Sequence, residues 1–199
     1  MSQAPACLLI LLRSAAGDAA LAPLRRRFAL EFGDFTASEL LPGAQWPAPD
    51  GIRARDGDAL DGDPSMGPRV PHIQWLAFHE AVEPARLAPV QQHLWRVERL
   101  AGDAGARPPV ALECALLTAG KVVRAAPADA PQRLDLGGGV FGEPALAWGG
   151  QPPAWIPYAW IAAGPRALAW LAACRAQWLR RTAEASRASQ LHPEATPHG

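Results

Sequence analysis

The stretch that decides the fold runs from Val110 to Ala126 and reads VALECALLTAGKVVRAA. Two runs rich in apolar and β-branched residues, 110–117 and 121–126, flank a short turn that contains Gly120. Runs of this kind on either side of a glycine-containing turn predict a β-hairpin. We therefore expect antiparallel strands at this place, and we interpret the rest of the chain around them.

The segments before the hairpin alternate between strand and helix patterns. Ala6–Leu12 is a continuous apolar run, which is typical of a strand covered on both faces. Asp18–Phe32 has apolar residues at helical spacing, and Gly33 follows its end. The other predicted elements on this side are strands at Phe35–Leu41 and His72–Phe78 and a helix at Pro84–Ala101.

The segments after the hairpin predict a second strand pair, Arg133–Leu136 and Val140–Ala147, around three consecutive glycines. A helix from about Pro165 to about Ser186 follows. The order β-α-β-β-α-β-β-β-α predicts an α+β fold with a mixed or antiparallel sheet. We expect the helices to pack mainly on one face of it, with a ferredoxin-like arrangement as a candidate for the core.

The domain organisation follows from composition. Residues 1–186 are interpreted as a single domain, because 199 residues suit one core. Residues 42–71 are rich in Pro, Gly and Asp and predict a long irregular loop. Residues 187–199 predict a disordered tail. The aspartates between Asp56 and Asp63 fit either a solvated loop or a weak cation site.

Charge and cysteine content exclude several classes of protein. The 19 basic and 19 acidic residues balance, so the general attraction that nucleic-acid and membrane-surface binders need is absent. The three cysteines are an odd number without close spacing, which favours a reducing compartment over a disulfide framework. The sequence therefore predicts a soluble, cytoplasmic protein with neither nucleic-acid nor membrane partners.

No cofactor or metal motif is complete. Residues 115–122 approach a phosphate-binding loop, but Val122 stands where a magnesium-binding hydroxyl is needed, and a strand follows instead of a helix. The segment from His79 to Glu83 resembles a zinc-protease motif but runs into Pro84, which does not fit one helical face. We predict no cofactor and no metal ligands from these motifs.

The hairpins carry a resemblance to a known family. The matching stretches are Val110–Leu117, Lys121–Ala125, Gln132–Gly137 and Gly139–Glu143, and Trp155–Tyr158 matches less closely. In order and spacing they resemble the bacterial domain-of-unknown-function family four-four-one-six, over most of the chain. The resemblance implies a divergent member, since Glu113 replaces a family aspartate and Gln132 a family histidine. It implies no established activity.

Two interpretations of function stay open. In the first, a ligand-binding or catalytic site lies on one face of the hairpin sheet, because Glu113, Arg133, Asp135 and Glu143 share one strand parity. Glu113 and Glu143 are the candidate catalytic carboxyls, whereas Arg133, Asp135 and Lys121, the only lysine, are candidates for holding a small anionic ligand.

In the second interpretation the protein is a non-enzymatic interaction module. A Pro-rich segment concentrates aromatic residues that would form a partner surface if they fail to bury. These residues are Trp148, Trp155, Tyr158 and Trp160. The sequence does not decide whether the protein is an enzyme.

Overall fold

The computed structural model describes residues 5–14, 18–42, 72–101, 110–149, 154–155 and 165–191. The strands are β1 Ala6–Ser14, β2 Phe35–Ala37, β3 Leu41–Pro42, β4 His72–Val82, β5 Val110–Leu117, β6 Lys121–Ala126, β7 Leu134–Asp135, β8 Phe141–Ala147 and β9 Ala154–Trp155. The helices are α1 Asp18–Phe32, α2 Leu87–Ala101 and α3 Pro165–Leu191, and a 3-10 turn at Pro84–Arg86 leads into α2.

The strands form one antiparallel sheet in the order β2-β4-β1-β5-β6-β8-β7, with β3 beside β4 and β9 beside β8. β1 pairs with β4 on one side and with β5 on the other. β2 therefore runs parallel to β1 with β4 between them, which is the split β-α-β arrangement of a ferredoxin-like unit. The predicted α+β class and antiparallel sheet are confirmed.

The helices cover both faces of the sheet. Leu8, Ile10 and Leu12 of β1 pack in one buried cluster with α1 and α2. The alternate residues, Cys7 and Leu9 among them, pack in a second cluster with α3. Two of the three helices share a face as expected, but α3 lies opposite. The reason is that a strand apolar at every position needs cover on both sides.

The helices form where the apolar stripes predicted them. Leu21, Leu24 and Phe28 are the buried stripe of α1, with the spacing that places them on one face. The backbone N–H of Gly33 donates to the carbonyl of Ala29 at 3.1 Å, and Gly33 has a φ of 83°. This left-handed conformation ends α1, and glycine adopts it without a steric penalty. Among the described residues, no helix is long and apolar enough to cross a membrane.

Some predicted boundaries were wrong. α3 continues past Ser186 to Leu191, so the expected disordered tail does not begin at residue 187. No glycine or proline interrupts 187–191, and nothing there stops the helix. The predicted strand Phe35–Leu41 divides into β2 and β3, because the Ser38 hydroxyl replaces a backbone acceptor for the N–H of Trp75, at 3.0 Å. Apart from Pro42 in β3, the predicted loop 42–71 lies outside the described residues, as do residues 192–199.

Candidate functional site

The sheet opens between β5 and β6, and α2 fills the opening with side chains. β5 and β6 pair only at Ala115–Leu117, next to their hairpin turn. Beyond that point Gln91 of α2 donates its Nε2 to the carbonyl of Leu112 at 3.1 Å, and its Oε1 accepts the N–H of Cys114 at 2.8 Å. The carboxylate of Glu98 accepts the N–H of Leu112. A helix thus satisfies backbone groups that a neighbouring strand would otherwise bind.

Five charged side chains cross the sheet beside this opening in alternating sign. We call them the charged row: Arg13, Glu113, Arg124, Glu143 and Arg133. Arg13 is ion-paired with Glu113, and Arg124 Nη1 lies 3.8 Å from the other Glu113 oxygen. Arg124 Nη2 lies 2.7 Å and Arg133 Nε 3.3 Å from Glu143 Oε2. Each carboxylate therefore lies between two guanidinium groups.

Strand register places the charged row on the face that α3 covers. Glu113 is opposite Leu11, and Arg124 is opposite both Ala115 and Glu143. Leu11 and Ala115 belong to the apolar cluster beneath α3. Since cross-strand partners in an antiparallel sheet point to the same face, the row lies in the plane of that cluster.

The charged row is closed at one end and open at the other. The side chains of Arg124, Glu143 and Arg133 are only 4%, 1% and 6% exposed, whereas those of Arg13 and Glu113 are 23% and 19% exposed. At the closed end Gln132 donates to Glu143 Oε1 at 2.9 Å, which satisfies its second oxygen. A ligand from solvent would therefore meet Arg13 and Glu113 first.

The pKa values of the two carboxyls in the charged row are shifted in opposite directions. Burial raises the pKa of Glu113 from 4.5 to about 7; the charges of Arg13 and Arg124 oppose this rise, and that of Glu98 adds to it. Burial also raises the pKa of Glu143, but the hydrogen bonds from Gln132 and Arg124 outweigh it and hold this pKa below its usual range. Two nearby carboxyls whose pKa values are shifted apart in this way are typical of acid–base sites.

Glu113 should make the stability of the protein depend on pH. Between about pH 4.5 and about pH 7 the folded state keeps a proton that the unfolded chain has released. The raised pKa therefore contributes stability that is complete below pH 4.5 and is lost as the pH rises through about 7. We expect the free energy of unfolding, measured by urea denaturation, to fall between about pH 5 and about pH 8. This fall should be smaller for Glu113→Gln than for the unaltered protein. Equal losses would show that Glu113 does not titrate in this range.

The structure brings together three of the five residues that the sequence singled out. Glu113, Arg133 and Glu143 lie in the charged row. Asp135 instead accepts the N–H of Gly137 at 2.8 Å and holds a turn. Lys121 is exposed at the start of β6, and alternation places it on the opposite face from Arg124. The expected convergence of Lys121 and Asp135 with the other three does not occur, because Lys121 lies on the other face of β6 and the Asp135 carboxylate binds the turn at Gly137.

Sequence reasoning missed Arg13, Arg124 and Glu98. Arg13 lies next to the last residue of the apolar strand β1, and Arg124 lies within the apolar residues of β6. A charge inside a buried strand requires a partner, so this pattern could have revealed both arginines. No sequence pattern distinguishes Glu98 from the other polar residues of a surface helix, because its contact with β5 depends on how α2 packs.

The aromatic residues are only partly described. Trp148 is half-buried and packs against the cluster beneath α3, with the guanidinium of Arg175 5.2 Å from its ring centroid. These contacts favour a role in capping the core. Nothing is described of the side chain of Trp155, and Tyr158 and Trp160 lie outside the described residues, as do the aspartates from Asp56 to Asp63.

A hydroxyl–imidazole pair, which the sequence did not predict, lies near the edge of the sheet. Thr36 Oγ1 is 2.9 Å from His79 Nε2, and Arg181 lines the same small cavity. Burial and then the charge of Arg181 lower the pKa of His79. The cavity measures about 10 Å³, which is room for one water molecule at most, so it does not admit a substrate. Within the described part of the chain, no cluster of His, Cys, Asp and Glu could hold a metal ion.

Comparisons of the chain with protein-family models, curated proteins and solved structures give no match.

Proposed function

We propose that this domain binds a small oxyanion at the open end of the charged row and that Glu113 takes up a proton as the anion binds. The observation that carries the proposal is the position of Glu113. It is a partly exposed carboxyl between Arg13 and Arg124, and its pKa is about 7. Guanidinium groups are suited to carboxylate and phosphate oxygens, which they bind with two parallel hydrogen bonds.

Glu113 and an external anion compete for the same donors. Within the charged row three guanidinium groups face two carboxylates, and the charge of Glu98 also acts on Arg13 and Glu113. Protonation of Glu113 removes one negative charge from the row and weakens the hold of Glu113 on Arg13 and Arg124. An entering oxyanion can then take the place of the Glu113 carboxylate, and its affinity is coupled to the proton.

The same geometry fits proton transfer to a bound ligand. A carboxyl with a pKa near neutrality can both give and accept a proton at physiological pH, which is the property of a general acid or base. Glu143 does not suit this role, since its low pKa and its hydrogen bonds keep it ionised. In this proposal Glu113 carries the proton, Arg13 and Arg124 bind the anion, and Glu143 holds Arg124 in place.

Calorimetric titration with sulfate tests the proposal, because sulfate itself does not titrate near neutrality. At constant ionic strength we expect binding about tenfold tighter at about pH 6 than at about pH 8, since the binding-competent fraction changes by that factor. Glu113→Gln should bind sulfate equally well at both values. The exposed Glu39, 3.5 Å from Arg166, provides the control, and Glu39→Gln should keep the pH dependence. Sulfate binding that does not change with pH in the unaltered protein would refute the coupling.

We further propose that the chain is a divergent member of the family four-four-one-six and acts in a reducing, cytoplasmic compartment. The resemblance of the two hairpins supports the first part. The second is supported by Cys7, Cys114 and Cys174, which are free and buried. Burial raises the pKa of Cys7 and of Cys174 to about 12, so these thiols behave as apolar packing groups.

A further inference from the structure

A groove of about 310 Å³ lies between the end of α1 and the start of α2. α1 and α2 cover the face of the sheet opposite the charged row, so this groove is separate from the site proposed above. Its volume is at the lower limit of sites that bind small molecules. The groove is lined by Glu31, Phe32, Arg86, Pro89, Val90 and His93.

The floor of the groove is apolar and held in place by packing. Val90 is buried in the core cluster of α1 and α2, and Phe32 packs against it. The Phe32 ring meets Phe78 edge-on, with 5.5 Å between ring centroids, and meets the His93 ring at 6.2 Å. These contacts fix Phe32 as a rigid wall, which suits the hydrocarbon part of a ligand.

The rim of the groove favours an anion. Both oxygens of Glu31 are engaged, one by Arg27 Nε at 2.7 Å and the other by His93 Nε2 at 2.7 Å. Its negative charge is therefore compensated within the protein. Arg86 also lines the groove and is exposed, and it has no ion pair with any residue that the structure describes. A carboxylate at the rim would supply that partner.

We propose that this groove binds a small amphipathic carboxylate, with its hydrocarbon chain on Phe32 and Val90 and its carboxylate on Arg86. Burial of the chain supplies most of the affinity, and the charge-assisted hydrogen bond to Arg86 selects the head group. The imidazole of His93, already bound to Glu31, closes the rim next to the carboxylate. A neutral or cationic head group could not form this ion pair with Arg86.

Three probes with the same chain test the head-group selection: octanoate, octanol and octylammonium. Their binding would be followed through the NMR signals of the His93 ring, assigned with His93→Gln. We expect saturable shifts with octanoate, weaker binding of octanol and the weakest binding of octylammonium. Arg86→Gln should weaken octanoate binding about tenfold, since a charge-assisted hydrogen bond is lost. Arg99→Gln, an exposed change in the last turn of α2, should leave it unchanged.

The outcomes separate this groove from the charged row. Glu113→Gln should not alter the octanoate response at His93, because the two sites lie on opposite faces of the sheet. Octanol binding as tightly as octanoate would overturn the proposal, as would the absence of a saturable shift. An equal loss of affinity in Arg86→Gln and Arg99→Gln would also overturn it, because the effect would then be one of overall charge.

Discussion

Glu143→Gln is expected to lower the free energy of unfolding by about 3–5 kcal/mol, the largest effect of any single change at the charged row. Glu143 is 1% exposed and binds both Arg124 and Arg133, whose side chains are almost as deeply buried. Glutamine keeps the size of the side chain but removes its charge. Buried Arg133 would then lose its carboxylate partner, and buried Arg124 would lose its nearer one and keep Glu113 at 3.8 Å.

Urea or guanidinium denaturation measures this loss, and an exposed ion pair provides the control. Glu39 lies 3.5 Å from Arg166, and both side chains are more than half exposed. Glu39→Gln should change the free energy of unfolding by less than about 0.5 kcal/mol, because exposed pairs are screened by solvent. Similar losses in the two variants would mean that the charged row is more hydrated than its burial indicates.

Gln91→Met is expected to lower the free energy of unfolding by about 2–4 kcal/mol. Gln91 is buried and binds the carbonyl of Leu112 and the N–H of Cys114, at the place where β5 has separated from β6. Methionine has a similar volume and helix propensity but offers neither the donor nor the acceptor. Two buried backbone groups of β5 would be left without partners, and of the side-chain bonds described from α2 to the β5 backbone the one from Glu98 would remain.

The adjacent residue in α2 provides a matched control. Gln92 donates to the carbonyl of Gly138 at 3.1 Å in an exposed position. Gln92→Met should cost less than about 0.5 kcal/mol, because water can satisfy that carbonyl. Thermal and denaturant unfolding of the two variants compare the same substitution at consecutive positions. If Gln92→Met were as destabilising as Gln91→Met, the loss would come from methionine in α2 and not from the bonds to β5.

Buried charges such as those of the charged row usually add little to the stability of a sheet. Removal of several charges from water costs free energy that their mutual attraction only partly returns, and apolar replacements of similar size often stabilise a protein as well. The rest of the same face is apolar, with residues such as Leu9, Leu117 and Val122 in the cluster beneath α3. Five charges on an otherwise apolar face support the proposed binding of an anion, which would take place at the open end of the row, beside Arg13 and Glu113.

The sequence by itself determined the elements of this protein and their class. Apolar periodicity, turn glycines and prolines fix short-range geometry, so α1, β5 and β6 begin and end where the sequence predicted. β1 shows the limit of this reasoning. Its continuous apolar run indicated that both faces would be covered, but only the folded chain shows that α3 lies on the second face.

The composition of the site was decided by the tertiary structure. The shared odd numbering grouped Glu113 with Glu143, and strand register does bring the two to one face. Alternation relates only residues of a single strand, however, and the even-numbered Arg124 lies between them on that face. The numbering also added Asp135, whose carboxylate binds the N–H of Gly137 instead, and it gave no information on Arg13 or Glu98, whose partners are about 100 and 14 residues away. Which charges meet depends on strand order, on register and on the separation of β5 from β6. These are properties of long-range pairing, set by the packing of the whole sheet, and no local pattern in the chain encodes them.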